Sequence, residues 1–464
     1  MMNILSRLAS NVAILKSKTQ FHSANESWYT CFMANLRVNG GIPLRGTTNV
    51  SGNKNSVLPI LCASLLTKDT VEITNVPDIL DVRKLLEFFL AIGTRVDYDS
   101  LTGHLRLQHG NLANSFSRDI VPSAMRSSVL LFAPLLFRLG FFEVHTNTKG
   151  CALGAREIDP HLALLSAFGY KIKATTEYIS IRREQPIKGT LHWFEYASVT
   201  ATENFIMAAS TANGLSTLNN AACEPHVQDL CRFLIAMGAN IKGTSSNTLT
   251  IDGKAELHGC SFAIPDDHHE VATYLAIGAI TGGQISVINN IPHHLLLIDK
   301  TFLKLGISIV HSEGVSTVNA NGKPYIVQQP FTTNTFTKIE AAPWPYFPAD
   351  LLPPFIALAT ACKGSVLFWN KVYEGGLSWI PELNKFGTFA HLCDPHKVIV
   401  MGNAPLHPAT VESPYIIRAS IALMMVALSV PGTSIIHKAD PIKRAHPRLI
   451  ENLQSLGADV TWEE

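Results

Sequence analysis

Four short segments of this 464-residue chain carry side chains able to do chemistry on an anionic substrate. In Ser51-Gly52-Asn53-Lys54-Asn55 a lysine stands just before an apolar helical run, residues 56–66. A helix start offers unpaired amides and the positive end of the dipole, and a lysine adds a point charge, which suits phosphate or carboxylate. The segment lacks the Walker spacing, and taken alone a solvated turn lysine accounts for it better. The second segment is Thr148-Lys149-Gly150-Cys151-Ala152-Leu153-Gly154-Ala155-Arg156, running on through Glu157-Ile158-Asp159-Pro160-His161. Two glycines flank the cysteine, so an exposed loop between a strand and a helix is expected. Lys149 and Arg156 would lower the thiol pKa and make Cys151 a proton carrier or nucleophile. A loop cysteine of no consequence is the other reading.

The third segment, Ala342-Pro343-Trp344-Pro345-Tyr346-Phe347-Pro348-Ala349-Asp350, leads into an apolar helix from Leu351. Three prolines restrict the backbone and present Asp350 at a defined place, either as a helix cap or as a general base toward a hydroxyl. The fourth set is dispersed: Arg126 in Met125-Arg126-Ser127-Ser128, Arg418 in Ile417-Arg418-Ala419-Ser420, and Arg444 in Lys443-Arg444-Ala445-His446. Arg126 and Arg418 interrupt apolar helical runs, so each needs a carboxylate or a ligand phosphate, structural salt bridges being the commoner outcome. The histidine pair His268-His269 could suggest a metal site. Adjacent helical residues point to different faces, so the pair reads as surface or capping residues and no metal site is expected.

The elements that must position these residues repeat. A helix end, a glycine and a strand recur at Gly93, Gly169, Gly238, Gly306, Gly387 and Gly457, about every 70 residues. Each glycine can take the left-handed conformation that closes a helix and turns the chain into a strand. A β-rich run ending in a polar residue precedes most copies, as in Val71–Asn75, Leu215–Asn219, Ile285–Asn289 and Val366–Asn370. Each unit therefore reads as strand, helix, helix, strand, and six units group into two domains of three with a ligand cleft between them.

Bulk properties narrow the function classes. Hydrophobic residues make up 47% and charged ones 16%, enough apolar surface for two buried cores at this length. A net charge of +1 gives no general field for nucleic acid or an anionic membrane, so neither is an expected partner. The apolar runs are too short or too interrupted to span a bilayer. Eight scattered cysteines with no CxxC pair argue against a zinc ribbon or a disulfide framework. Residues 1–32 are rich in serine and hold no acid before Glu26, which fits a transit peptide or an upstream start before Met33. They are set aside from the fold.

Taken together, the phrases Ser-Gly-x-Lys-Asn, Met-Arg-Ser-Ser, Gly-Cys-x-x-Gly-Ala-Arg, Ser198-Val199-x-Ala201-Thr202-Glu203-Asn204, Glu224-Pro225 and Phe347-Pro348-x-Asp350 resemble the enolpyruvyl transferase family from about Leu36 to the C-terminus. The resemblance implies an α/β fold of two inverse α/β barrel-like domains, each of three βαβαββ repeats, the EPSP synthase-like fold. One domain would span 54–264 and carry the cysteine loop; the other would join 33–53 to 265–464. It also implies a cytoplasmic enzyme without cofactor or metal. Such an enzyme moves the enolpyruvyl group of phosphoenolpyruvate to the 3-hydroxyl of UDP-N-acetylglucosamine, the first committed step of peptidoglycan precursor synthesis. Asn55 and Cys151 favour this sugar-nucleotide branch over the shikimate branch.

Site roles follow from the same resemblance. Lys54 and Asn55 would contact phosphoenolpyruvate and sugar, while Arg156 and Arg444 would hold phosphate and carboxylate. Arg126, Asp159, Pro160, Ser198 and Val199 would contact the UDP-sugar, with Val372 near the sugar and Arg418 among the substrate contacts. Asp350 would take the proton of the 3-hydroxyl, and Cys151 would act as acid toward the enolpyruvyl carbon or assist release. Several positions depart from the family pattern. Gly376 replaces an arginine, Ile416 an aspartate, Thr200 a glycine and Tyr196 a lysine, and Cys223-Glu224-Pro225-His226 stands for Arg-Glu-Pro-Glu. An arginine lost from a buried anion contact costs roughly 2–5 kcal/mol. These departures leave open a paralogue acting on another nucleotide sugar, or an inactive sugar-nucleotide-binding relative.

Overall fold

All six recurring glycines adopt positive φ, at 99°, 91°, 98°, 81°, 84° and 97° along the chain. An L side chain in that region meets its own carbonyl, so glycine is the residue that lets each helix stop and the next strand begin. The structure is a computed structural model that describes residues 34–463, apart from 114–115, 123–124, 146–157, 255, 321–324 and 330–335.

One repeat shows the pattern in full. Strand Leu191–Trp193 leads into helix Val199–Ser210, strand Gly214–Asn219, helix Pro225–Ala236 and the strand pair Asn240–Lys242 and Thr248–Gly253. Gly214–Asn219 runs parallel to Leu191–Trp193 and antiparallel to Thr248–Gly253. The unit is thus βαβαββ, with the β-rich run lying between the two helices, rather than strand, helix, helix, strand. Six sheets result, five of four strands and one of three, among the described residues.

Two compact units divide these sheets, three to each. The described parts of the first run from Gly52 to Ile264; those of the second run up to Ser51 and on from Pro265. The crossings are explained by strand exchange along the chain. Asn35–Gly40 pairs antiparallel with both Gly432–His437 and Asp459–Glu463, so the start of the chain completes the last sheet. Arg45–Asn49 adds a parallel strand to Gln284–Ile288, and Ser261–Ala263 adds one to Thr70–Thr74.

Each unit has its own apolar core. Strands such as Thr70–Thr74 alternate buried and partly exposed residues, the period expected of a sheet with one wet face. The helices behind them are apolar all round. Every residue of His268–Ile280 and of Leu352–Thr360 is buried, as is Ala201 to Ser210 in Val199–Ser210. A helix with no polar face belongs in a core, so the sheets form the outside of each unit and these helices the inside. Polar residues buried along them, such as Asn204 in Val199–Ser210, need partners, and the candidate residues Ser198 and Val199 lie at the start of that helix.

Candidate active site

In the first unit, Lys54 is the opening residue of helix Lys54–Ser64. Asn53 caps that helix, its side-chain oxygen accepting the amides of Asn55 and Ser56 at 2.8 and 3.3 Å. The cap fixes the backbone from which Lys54 projects. Lys54 Nζ lies 3.0 Å from Asp81 Oδ2, and with 21% of its side chain exposed it is partly open to solvent rather than a free turn lysine. Two residues on, Ser56 Oγ donates to Asp229 Oδ2 at 2.5 Å, and Asp229 also pairs with Arg232. Burial pushes the Asp229 carboxyl above the usual range, against the pull of Ser56 and Arg232.

Asn204, fully buried, ties together the elements that carry the expected nucleotide contacts. Its Oδ1 accepts the Ala133 amide at 3.2 Å, and its Nδ2 donates to the Val129 carbonyl at 2.9 Å and to His161 Nδ1 at 3.0 Å. His161 Nε2 meets Thr200 Oγ1 at 3.1 Å. Three segments are thereby held in register: the 3-10 turn begun by Arg126, the helix Asp159–Ala167, and the start of Val199–Ser210. Asp159 and Pro160 open their helix, Ser198 stands at the N-cap position of the next, and Val199 is its first residue. Since Ser198 makes no side-chain capping bond, both its hydroxyl and that helix start are not consumed by each other. The departure at Thr200 therefore has a structural consequence: a glycine there could not have bonded His161. Cys151 and Arg156 lie outside the described residues, as does the side chain of Arg126.

Glu203, on the same helix as Asn204, is buried, and Glu224 is partly buried. Burial, and then the neighbouring Glu224, push Glu203 well above the usual carboxylate range.

In the second unit, Asp350 sits in the 3-10 turn Ala349–Leu351, whose N-cap is Pro348. The N-cap positions of that turn and of helix Leu352–Thr360 are Pro348 and Leu351, so Asp350 does not stand in the capping position weighed for it. Phe347 is buried against Phe355, centroids 4.9 Å apart, which pins the proline-rich segment to the core. Arg418 is half-buried, the second residue of Ile417–Ser429. Its Nη1 donates to His446 Nε2 at 3.0 Å, a partner that the expectation of a carboxylate or ligand phosphate did not include. With Nε2 accepting, the His446 proton is on Nδ1, which faces Glu270 Oε1 at 3.8 Å. Glu270 in turn accepts the Ser51 amide at 2.8 Å. Arg444, exposed, lies in the last turn of Asp440–Ala445, and Val372 is exposed just after strand Ser365–Asn370.

His268 and His269 are not surface residues. They are 1% and 4% exposed, and the cap of their helix is Asp267, whose Oδ1 accepts the amides of His269 and Glu270. Gly376 is also not an open vacancy. A Cβ there would stand 2.1 Å from Asn370 Nδ2, and Asn370 Oδ1 holds the amides of Val372 and Tyr373. Ile416, in the place of the expected aspartate, is buried and leaves Ile417–Ser429 without a side-chain cap.

Chemically, each unit presents starts of buried helices with cations beside them: Lys54 in one, Arg418 in the other. Such ends favour phosphate and carboxylate groups. Sequence reading missed the residues that hold these groups in place, namely Asp81, His161 and His446. His161 and His446 stand inside the quoted segments and Asp81 stands among Asp78, Arg83 and Lys84, but no spacing to the partner reveals any of them as a motif.

Comparison with known proteins gives a consistent picture. Residues 38–453 match the EPSP synthase family, described as 3-phosphoshikimate 1-carboxyvinyltransferase. A UDP-N-acetylglucosamine 1-carboxyvinyltransferase of Bradyrhizobium diazoefficiens is 37% identical over 428 residues, covering 91% of this chain and 96% of the relative. Its counterpart in Porphyromonas gingivalis is 36% identical over 440 residues, covering 92% and 100%. The solved enolpyruvyl transferase NikO of Streptomyces tendae shares the fold, with a TM-score of 0.81 at 22% identity over 93% of this chain and 99% of that one. No described helix is long and apolar enough to cross a membrane.

Proposed function

We infer from the EPSP synthase family, to which this chain belongs, that it is a UDP-N-acetylglucosamine 1-carboxyvinyltransferase. It moves the enolpyruvyl group of phosphoenolpyruvate to the 3-hydroxyl of the sugar nucleotide and releases phosphate. The observation that carries this reading is the near full-length identity of 37% and 36% to relatives bearing that one name. In the cell this is the first committed step toward peptidoglycan, and its substrates support a cytoplasmic location.

The residue roles are part of the same proposal. Asp350 takes the proton of the 3-hydroxyl as that oxygen bonds to C2 of phosphoenolpyruvate, and the Cys151 thiol delivers a proton to C3. The product is a tetrahedral ketal. Loss of a C3 proton and cleavage of the C2–O bond to phosphate restore the double bond and free inorganic phosphate. Lys54, Arg156 and Arg444 stabilise the phosphate and carboxylate charges throughout. Arg126, Asp159, Pro160, Ser198, Val199 and Arg418 bind substrate, with Asn55 and Val372 near the sugar. The capped start of Lys54–Ser64 supports the role of Lys54, and the Asn204 network supports that of Asp159 and Ser198.

The test is phosphate release from phosphoenolpyruvate with UDP-N-acetylglucosamine, with 3-phosphoshikimate, and with neither. Release is expected with the sugar nucleotide alone. Silence with that acceptor, or release with 3-phosphoshikimate instead, overturns the reading.

A further inference from the structure

Arg418 is a partly buried cation that the protein leaves largely uncommitted. A guanidinium offers a fork of N–H donors and no acceptor. Among the described residues this one makes a single side-chain hydrogen bond, the donation from Nη1 to His446 Nε2 at 3.0 Å, and no ion pair. Its charge also reaches the Asp267 carboxylate, but Asp267 Oδ1 is occupied by the amides of His269 and Glu270. A guanidinium taken partly out of water without a carboxylate of its own favours an anionic ligand.

The contact with His446 sets more than a distance. Because Arg418 can only donate, Nε2 presents a lone pair and the ring proton is on Nδ1. Both His446 and Glu270 are buried, and Glu270 Oε1 faces Nδ1 at 3.8 Å. That is too long for a hydrogen bond, yet a buried carboxylate on this side favours the tautomer with its proton there. Glu270 is itself fixed: its Oε2 accepts the Ser51 amide at 2.8 Å, while the Asp267 amide donates to the Ser51 carbonyl at 3.0 Å. The His446 backbone is anchored too, its amide donating to the Ile442 carbonyl at 2.9 Å at the end of Asp440–Ala445. A carboxylate in the place of His446 would also orient the guanidinium, but it would cancel the charge that an anion needs. A neutral imidazole orients it and leaves the charge available.

We propose that His446, its tautomer set by Glu270, is a positioning residue that aims the Arg418 guanidinium at the phosphate or carboxylate of a bound substrate. The proposal rests on the reading of Arg418 as a substrate contact and adds the residue through which that contact is made.

The full chain is titrated by calorimetry with phosphoenolpyruvate and, separately, with UDP-N-acetylglucosamine, as the parent, His446→Phe and His446→Gln. His446→Phe keeps a ring and loses the acceptor, whereas the amide oxygen of His446→Gln reaches the place of Nε2 and accepts. In His446→Phe the dissociation constant of one of the two ligands is expected to rise about 10–100-fold, the worth of one misaimed charge-assisted hydrogen bond. The other ligand and kcat should change no more than a few-fold, so that KM for the affected substrate moves alone, and His446→Gln should recover most of the loss. If His446→Phe does not fold, by far-UV circular dichroism, His446→Leu takes its place, and loss of folding in both overturns the proposal in favour of a structural role. Unchanged binding, equal losses for both ligands, no recovery in His446→Gln, or a parent that binds neither ligand also overturns it. Phosphate release by the parent tests the transferase reading separately. A parent that releases none, but shows the loss and recovery of binding, leaves the positioning role standing; an active parent with unaffected variants removes that role alone.

Discussion

Lys54 Nζ and Asp81 Oδ2 stand 3.0 Å apart, joining the first turns of helices Lys54–Ser64 and Leu80–Ala91. The Asp81 side chain is only 5% exposed, so its charge depends on Lys54 for compensation. The pair holds the ammonium in place in the absence of an anionic substrate. Asp81→Asn should therefore lower unfolding free energy by about 2 kcal/mol in urea titrations. It should also reduce kcat/KM for phosphoenolpyruvate by about 10–100-fold, because a misplaced charge loses much of its value. Unchanged kinetics would mean that Lys54 positions itself.

Asp350 is the middle residue of the turn Ala349–Leu351, next to the start of helix Leu352–Thr360 rather than at its N-cap position. Asp350→Asn is expected to lower kcat by about 10²–10⁴-fold, the usual span for a lost general base. Binding of UDP-N-acetylglucosamine, read by calorimetry, should stay within a few-fold. A variant that turns over at the parent rate would remove Asp350 from the chemistry.

Restoring the family arginine by Gly376→Arg should damage the protein rather than improve it. Its Cβ meets Asn370 Nδ2 at 2.1 Å, and moving Asn370 releases the amides of Val372 and Tyr373. A loss of about 1–3 kcal/mol is expected from such crowding, measured by chemical denaturation. A variant as stable as the parent would show that the Asn370 side chain yields freely.

His109 is buried between Ser64 Oγ, 2.9 Å from Nε2, and Thr94 Oγ1, 2.8 Å from Nδ1. Burial, then the charge of Arg138, push its pKa down from 6.5 to about 3. The folded chain thus holds a neutral ring where the unfolded chain takes up a proton. Stability from this residue is complete above pH 6.5 and is lost as pH falls toward 3, at up to roughly 1.4 kcal/mol per pH unit. His109→Gln should show a shallower acid loss than the parent over that window in denaturant titrations. Parallel pH profiles would contradict a neutral buried ring.

Local chemistry in the sequence was enough for the repeat, since a helix that ends in a left-handed residue demands glycine wherever it occurs, and six such glycines mark six sheets. The same holds for Lys54, Asp350 and Arg444, whose neighbours form phrases readable without a structure. Tertiary structure alone decided three things. The first is which sheet takes the strand Asn35–Gly40, for it pairs with residues some four hundred positions away. The second is that Arg418 meets His446 and Lys54 meets Asp81, partners separated along the chain with no pattern between them. The third is the burial of His268 and His269, which helical geometry assigns to diverging directions until core packing brings their rings together. The physical reason is common to all three. Backbone conformation is set by neighbours in sequence, whereas pairing, burial and charge compensation are set by neighbours in space.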